Sequence, residues 1–219
     1  MAETMTSPPG VAERQPRADG VRTRAAILRT AASLATVEGL EGLSIGNLAA
    51  ATGISKSGLY AHFGSKQELQ LATVEEAERI LNAEVVQPAL AARPGLAQLA
   101  AACEAFFDYV ERPVFPGGCF FAATSLEMGT RPGPVKDRIA AIQTGFTAML
   151  ASFAATAVEQ HELPADEDPE SLAFELHAIL LGADTKFVLQ GEPAVMALAR
   201  KVVRRRLGLD DGGPAGTAV

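Results

Sequence analysis

The sequence predicts an all-α protein of about nine helices. Of its 219 residues, 48% are hydrophobic, which is enough apolar material for a sizeable core. Five long segments repeat their apolar residues at helical spacing, whereas no segment alternates apolar and polar residues as a half-buried strand does. Clusters of proline and glycine separate these segments and therefore mark the helix ends.

The N-terminal segment, residues 1–18, is rich in proline, glycine and charge, which predicts a disordered basic arm. It lacks the apolar stretch that a signal peptide requires. The first helix is expected to begin after Asp19, a residue type that favours the N-cap, and to end at Glu38 before Gly39. Ile27 is expected on the inward face of this helix.

Two short helices joined by a tight turn are predicted between Leu43 and Lys66. Ser44 is placed to cap the first, because its hydroxyl can accept a hydrogen bond from an amide in the first turn. Gly53 follows this helix, where the chain often needs positive φ. Ser55 is placed to cap the second helix in the same way.

The second of these helices has an inner and an outer face. Leu59 and Phe63 lie one turn apart and are predicted to pack inward. The outer side carries small, polar and cationic residues, namely Lys56, Ser57, Gly58 and Tyr60. Such a face can approach a DNA groove closely, so this helix is the predicted recognition helix.

The stretch LSIGNLAAATGISKSGLYAHFGSKQEL resembles the helix-turn-helix of TetR-type transcriptional regulators. The residues that match the family pattern are Ser44, Ala49, Gly53, Leu59, Tyr60, His62, Phe63 and Lys66. The resemblance implies an N-terminal three-helix helix-turn-helix domain at residues 19–66 and a C-terminal helical domain at residues 67–207, which binds an effector and dimerises. It also implies a ligand-responsive regulator, a repressor released from a palindromic operator by a small apolar effector.

On this interpretation, Lys56 is the best candidate for a contact with a base edge, guanine in particular. Ser57 and Gly58 allow close approach. The other predicted DNA-binding residues are the capping serines and residues expected to contact the DNA backbone. They are Arg24, Ser44, Ser55, Tyr60, His62 and Lys66. Simpler roles remain open: solvated surface charge for Arg24, a core position for Tyr60 and helix-end packing for His62.

The net charge of −7 is unusual for a DNA-binding protein, but its distribution explains it. Residues 1–66 hold seven Lys or Arg against five Asp or Glu, whereas residues 67–219 hold twelve against twenty-one. A locally basic face attracts phosphates whatever the total charge. The acidic remainder is expected to repel DNA and so to help orient the protein on it.

Six further helices are predicted at residues 66–86, 95–111, 119–128, 135–160, 170–190 and 194–207. The first of them is expected to stop before Pro88, because proline breaks a helix interior. By the family resemblance, this helix connects the DNA-binding and regulatory parts. The tail at residues 208–219 is predicted to be disordered.

The helix at 170–190 carries apolar residues on two faces, which predicts that it is buried on two sides. The helix at 194–207 adds Val195, Leu198, Val202 and Val203. Two such helices from each of two chains would make a four-helix interface, so a homodimer is predicted. The alternative is that a single-chain bundle buries both faces.

The family resemblance places an effector pocket among the fifth to eighth helices. The candidate lining residues are Phe106, Phe107, Phe120, Phe121, Met128, Phe146, Met149, Phe153, Phe174 and His177. Glu127, Asp184 and Lys186, with His177, are polar groups able to orient a ligand. For any single phenylalanine, a place in the core is the simpler interpretation.

Two other functions remain open. Cys119 follows two glycines at a predicted helix start, where a lowered thiol pKa would suit a redox or electrophile sensor, although a small buried residue explains it as well. A helical small-molecule carrier without DNA function would need a disabled recognition helix.

The sequence does not favour catalysis or a membrane location. Its three histidines are far apart and form no metal-binding motif, and nucleotide-binding and nucleophile-elbow motifs are lacking. No metal, cofactor or enzymatic activity is therefore expected. The sequence shows no apolar run of 18 residues, so no membrane span is expected and a cytoplasmic location is predicted.

Overall fold

The computed structural model describes residues 15–209 of the chain. Most of the predicted N-terminal arm, residues 1–14, and the tail residues 210–219 lie outside the described residues. Within them every regular element is helical, as predicted. The helices are α1 Gln15–Glu38, α2 Ile45–Thr52, α3 Lys56–Phe63, α4 Lys66–Leu81, α5 Gln87–Ala91, α6 Leu96–Glu111, α7 Phe120–Met128, α8 Pro134–Glu159, α9 Pro169–Gln190 and α10 Pro193–Arg206.

The start of α1 differs from the prediction. The described part of this helix already includes Gln15, so Asp19 is an interior residue and not the N-cap. Gln, Arg and Ala favour helix, and the residues between Gln15 and Asp19 are mainly of these types. The predicted division of the chain at residue 66 coincides with the start of α4, but that domain boundary stays a prediction.

The predicted stop before Pro88 is wrong, because the helical path continues through it. A π-helical turn, Asn82–Val86, joins α4 to α5, and Pro88 lies in the first turn of α5. The amide of Gln87 donates to the carbonyl of Asn82, five residues earlier. A proline clashes with the carbonyl four residues before it, and the wider π turn relieves that conflict.

The body of the protein is arranged around α8, which packs against α4, α6, α7 and α9. An 18-residue window of α8 reaches a mean hydropathy of 1.4, so the expectation that no such apolar stretch exists is wrong. By length and composition alone this helix is able to cross a membrane. In this structure 33% of that window is buried by packing against the other helices.

Arg200 fixes α10 to α6 by a cluster of charges. Its guanidinium lies 2.8 Å from carboxylate oxygens of Glu104, Asp108 and Glu111, which follow one another along α6. The guanidinium carbon also lies 5.2 Å from the centre of the Phe107 ring, within the range of a cation–π contact. These contacts orient α10 and leave its other side outward.

Candidate nucleic-acid interface and effector cavities

The turn between α2 and α3 has the capping geometry that the sequence predicts. The Ser44 hydroxyl accepts a hydrogen bond from the Asn47 amide at 3.2 Å, and the Asn47 side chain accepts one from the Ser44 amide at 2.8 Å. This reciprocal pair is a capping box. Gly53 ends α2 with φ of +70°, which a side chain rarely adopts.

α3 is held by its inner face and open on its outer face. Leu59 and Phe63 are buried, as predicted, while Lys56, Ser57 and His62 are exposed and Tyr60 is 56% exposed. The exposure of Tyr60 contradicts its alternative as a core residue. The Ser55 hydroxyl accepts from the Gly58 amide at 3.2 Å and so caps the helix.

Gly58 has a structural reason to be glycine. A methyl group added there would lie 3.2 Å from the Ile54 side chain and from the Ser55 hydroxyl oxygen. Such contacts are tighter than most real ones, so a larger residue would push against the turn. Close approach to DNA is thus not the sole explanation for this glycine.

Two cationic side chains lie on or beside α3, namely Lys56 in its first turn and Arg24 of α1. The guanidinium of Arg24 lies 5.3 Å from the centre of the Phe63 ring, and Arg24 is otherwise exposed. The ammonium of Lys56 extends toward the first turn of α2, about 4.0 Å from the point where a Gly46 side chain would begin. The positive charge on this surface therefore comes from α1 and α3, and the charge of Lys56 lies beside α2.

Lys66 is not free at this surface. Its ammonium donates to the backbone carbonyl of Glu41 at 2.6 Å and to the Glu41 carboxylate at 2.8 Å. The hydrogen bond from Lys66 lowers the pKa of Glu41. Because exposed ion pairs contribute only about 0–1 kcal/mol, exchange of Glu41 for a phosphate would cost little. The phosphate contact of Lys66 stays a prediction.

Glu127, near the end of α7, joins the body of the protein to the turn after α1. Its two carboxylate oxygens accept hydrogen bonds from the backbone amides of Leu40 at 2.7 Å and Glu41 at 2.9 Å. Gln70 of α4 donates to the Leu40 carbonyl at 2.9 Å. Glu127 thus has a structural role toward the backbone that the sequence did not indicate, and its predicted role in orienting a ligand stays a prediction.

A second contact joins the two parts near the end of α1. The Gly117 amide donates to the Thr36 hydroxyl at 3.1 Å. A methyl group added at Gly117 would lie 2.1 Å from the Thr36 carbonyl oxygen, so any side chain would displace the segment. The helix-turn-helix unit is therefore held by α7 and the α6–α7 segment in addition to α4.

The predicted ligand-binding residues are divided between the core and several cavities. Five of them are buried in the core and line none of the four cavities described below: Phe106, Phe107, Phe120, Phe121 and Phe153. The other five line cavities, but not a single one. Their contribution to effector binding stays a prediction.

Four cavities differ in size and surroundings. A groove of about 1030 Å³ between α8 and α9 includes Phe174 and His177. A cavity of about 280 Å³ among α7, α8 and α9 includes Met128 and His177, and it is called the α7–α9 cavity below. A cavity of about 230 Å³ beside the π-helical turn includes Phe146 and Met149. The fourth, about 210 Å³, lies near the start of α8.

His177 lies between the groove and the α7–α9 cavity. Its Nδ1 atom is 2.7 Å from the Thr147 hydroxyl, and its ring centre is 5.4 Å from that of Phe146. Burial lowers the pKa of His177, which favours the neutral imidazole. A neutral ring can offer one hydrogen-bonding nitrogen to a ligand while Thr147 holds the other.

The structure does not favour a redox role for Cys119. The side chain is 2% exposed, and burial raises the pKa of its thiol to about 12, with the neighbouring Asp184 adding to the effect. These influences outweigh the helix start that was expected to lower it. The Cys119 amide donates to Asp184 at 2.8 Å, so Asp184 has a structural contact and lines none of the four cavities.

Comparisons with known proteins match most of the chain. Residues 27–73 match a family model described as bacterial regulatory proteins, tetR family, and residues 95–203 match one described as tetracyclin repressor-like, C-terminal domain. No curated protein matches the chain.

Solved structures share the fold over nearly their whole length. A TetR transcriptional regulator from Chloroflexus aurantiacus is 25% identical, with 87% of this chain and 96% of that chain covered and a TM-score of 0.81. AibR, in complex with isovaleryl coenzyme A and operator DNA, is 24% identical, with 83% and 97% covered and a TM-score of 0.69. A TetR-family regulator from Cytophaga hutchinsonii is 19% identical, with 90% and 97% covered and a TM-score of 0.77.

Proposed function

Because the chain belongs to the TetR family of bacterial regulatory proteins, we propose that it is a ligand-responsive transcriptional regulator that acts as a repressor. The observation that carries this proposal is the recognition helix α3. Buried Leu59 and Phe63 hold it in place, while Lys56, Ser57 and Tyr60 face outward. This exposed face also argues against a carrier with a disabled recognition helix. The protein acts by binding and not by catalysis, and it needs no cofactor.

Lys56 contacts a base edge in the major groove, where a lysine pairs with guanine acceptors. Ser57 and Gly58 lie beside it, and the predicted backbone contacts come from Arg24, Tyr60, His62 and Lys66. One helix of eight residues reads few base pairs. Useful specificity therefore requires two copies, whose recognition helices lie about 34–36 Å apart on a near-palindromic operator.

The second copy is supplied by a homodimer. α9 exposes Phe174, Val188 and Leu189, and α10 exposes Leu198 and Val202. Exposed apolar patches of this kind mark protein interfaces. The groove between α8 and α9 begins beside Phe174, so the partner chain also covers part of α8.

The effector is a small molecule with an apolar part, and its binding releases the operator. The structure of AibR with both an acyl coenzyme A and operator DNA supports the combination of these two ligands on this fold. For release, the effector must bind the DNA-incompetent state more tightly than the DNA-bound state. Because the protein acts on operator DNA, we expect it in the cytoplasm.

Selection of binding sites from a random duplex DNA library tests the proposal. The full chain is expected to enrich an inverted repeat with half-site centres about one helical turn apart or a multiple of it. A library that shows no enriched sequence, or a single unrepeated half-site, would contradict the proposed mode of binding.

A further inference from the structure

The α7–α9 cavity has one charged residue in its lining, Lys136 in the first turn of α8. Lys136 has no ion-pair partner among residues 15–209, and no carboxylate lines the cavity. A partly buried ammonium without a counter-ion favours an anionic partner.

The remaining lining of this cavity is mainly apolar. Met128, Ile139 and Ala140 provide the apolar walls. Ser125, Gln143 and His177 provide a few polar groups, and the Gln143 amide donates to the Ser125 hydroxyl at 3.0 Å. Small-molecule sites combine apolar walls with a few polar groups in this way.

The volume limits the size of the ligand. At about 30 Å³ for each water-sized group in a liquid, a cavity of about 280 Å³ holds about nine such groups. A molecule of this size has about eight to ten non-hydrogen atoms. A single carboxylate at one end would lie against Lys136, and the rest of the molecule would fill the apolar part.

We infer that the α7–α9 cavity binds a small apolar carboxylate, with Lys136 as the partner of the carboxylate. The role of this ligand as the effector rests on the proposed function, whereas the existence of the binding site does not. The cavity adjoins the end of α7, since Ser125, Met128 and Gly129 line it on both sides of Glu127. A ligand there therefore contacts the residues next to the hydrogen bonds that hold Leu40 and Glu41.

Isothermal titration of the DNA-free full chain with octanoate tests the site. Octanamide is the matched neutral probe, because it has the same shape and number of non-hydrogen atoms. Octanoate is expected to bind once per chain and about tenfold more tightly than octanamide, as suits a hydrogen bond to a charged group. Equal binding of the two probes, or no saturable binding of octanoate, would overturn the inference.

Three variants show whether binding takes place in this cavity. Lys136→Met is expected to abolish the preference for octanoate, and Ala140→Phe, at the exposed edge of the cavity, is expected to block both probes. Lys201→Met, on exposed α10 and outside this cavity, is the control and is expected to bind as the wild type does. A Lys136→Met protein that keeps the full preference would overturn the assignment of Lys136.

Operator release is measured separately. If octanoate binds through Lys136 but does not weaken operator binding, the site is confirmed and its role as the effector site is contradicted. If the ligand-free protein does not bind an operator, the proposed function is contradicted. The titration with octanoate and octanamide then still tests the site.

Discussion

Glu127→Gln tests the link between the body of the protein and the DNA-binding unit. Both oxygens of the Glu127 carboxylate accept backbone hydrogen bonds, from Leu40 at 2.7 Å and Glu41 at 2.9 Å. Glutamine has one acceptor oxygen. Its NH₂ group would therefore face the second backbone N–H, and two donors cannot form a hydrogen bond with each other. Because Leu40 is fully buried, the amide left unpaired costs about 1–3 kcal/mol.

A loss of about 2 kcal/mol has two measurable results. The melting temperature is expected to fall by about 4–8 °C at a fixed protein concentration, given about 2–4 °C per kcal/mol in a chain of this size. Local opening at Leu40 and Glu41 is expected to become about 30-fold more frequent, since each 1.4 kcal/mol is a factor of about ten. Hydrogen exchange of these two amides measures that opening directly.

The control is Glu159→Gln, which removes the same charge from an exposed position that has no ion-pair partner among the described residues. It is expected to leave both measurements unchanged. If the backbone amides of Leu40 and Glu41 exchange no faster in the Glu127→Gln protein than in this control, the hydrogen bonds to Glu127 do not hold the turn.

Three further predictions concern pH, α10 and the dimer. Burial raises the pKa of Asp184 to about 6 from an ordinary 3.8, so the folded state binds more protons than the unfolded state between these values. Stability from this group is therefore full below about pH 4 and falls by about 3 kcal/mol as pH rises through 6. Asp184→Asn should lack that fall. Denaturant titrations measure the free energy of unfolding of both proteins at pH 4 and pH 7. If the change between the two pH values is the same in the wild type and in the variant, the predicted direction of the pH effect is contradicted. Arg200→Met should lower the melting temperature by about 2–8 °C, because it leaves three neighbouring carboxylates without their cation, at a cost of about 1–2 kcal/mol. A change below 1 °C would show that the cluster does not stabilise α10. Phe174→Glu combined with Leu198→Glu should give monomers in analytical ultracentrifugation, and a dimer of wild-type affinity would place the interface elsewhere.

Local features of the fold were predictable because their causes lie within a few residues. The caps at Ser44 and Ser55 depend on hydrogen bonds to amides three residues ahead, and Gly53 depends on its own φ. The burial of Leu59 and Phe63 follows from their spacing of one helical turn. Each of these is therefore visible in the sequence alone.

Contacts between distant parts of the chain were not predictable in the same way. Glu127 meets Leu40 across 87 positions, and nothing beside Glu127 in the sequence indicates a backbone partner. Lys136 lines a cavity formed by three helices, so its importance depends on how those helices pack. The path through Pro88 depended on a π-helical turn, which has no clear sequence pattern.

The most direct test of the central claim is an anisotropy titration of wild type and Lys56→Ala on the selected operator and on a shuffled duplex, at several salt concentrations. The wild type is expected to prefer the operator and to lose affinity steeply as salt rises. Lys56→Ala is expected to lose about 1–3 kcal/mol of operator preference while it remains dimeric. A variant that keeps the full preference for the operator would contradict the assignment of α3 as the helix that reads DNA.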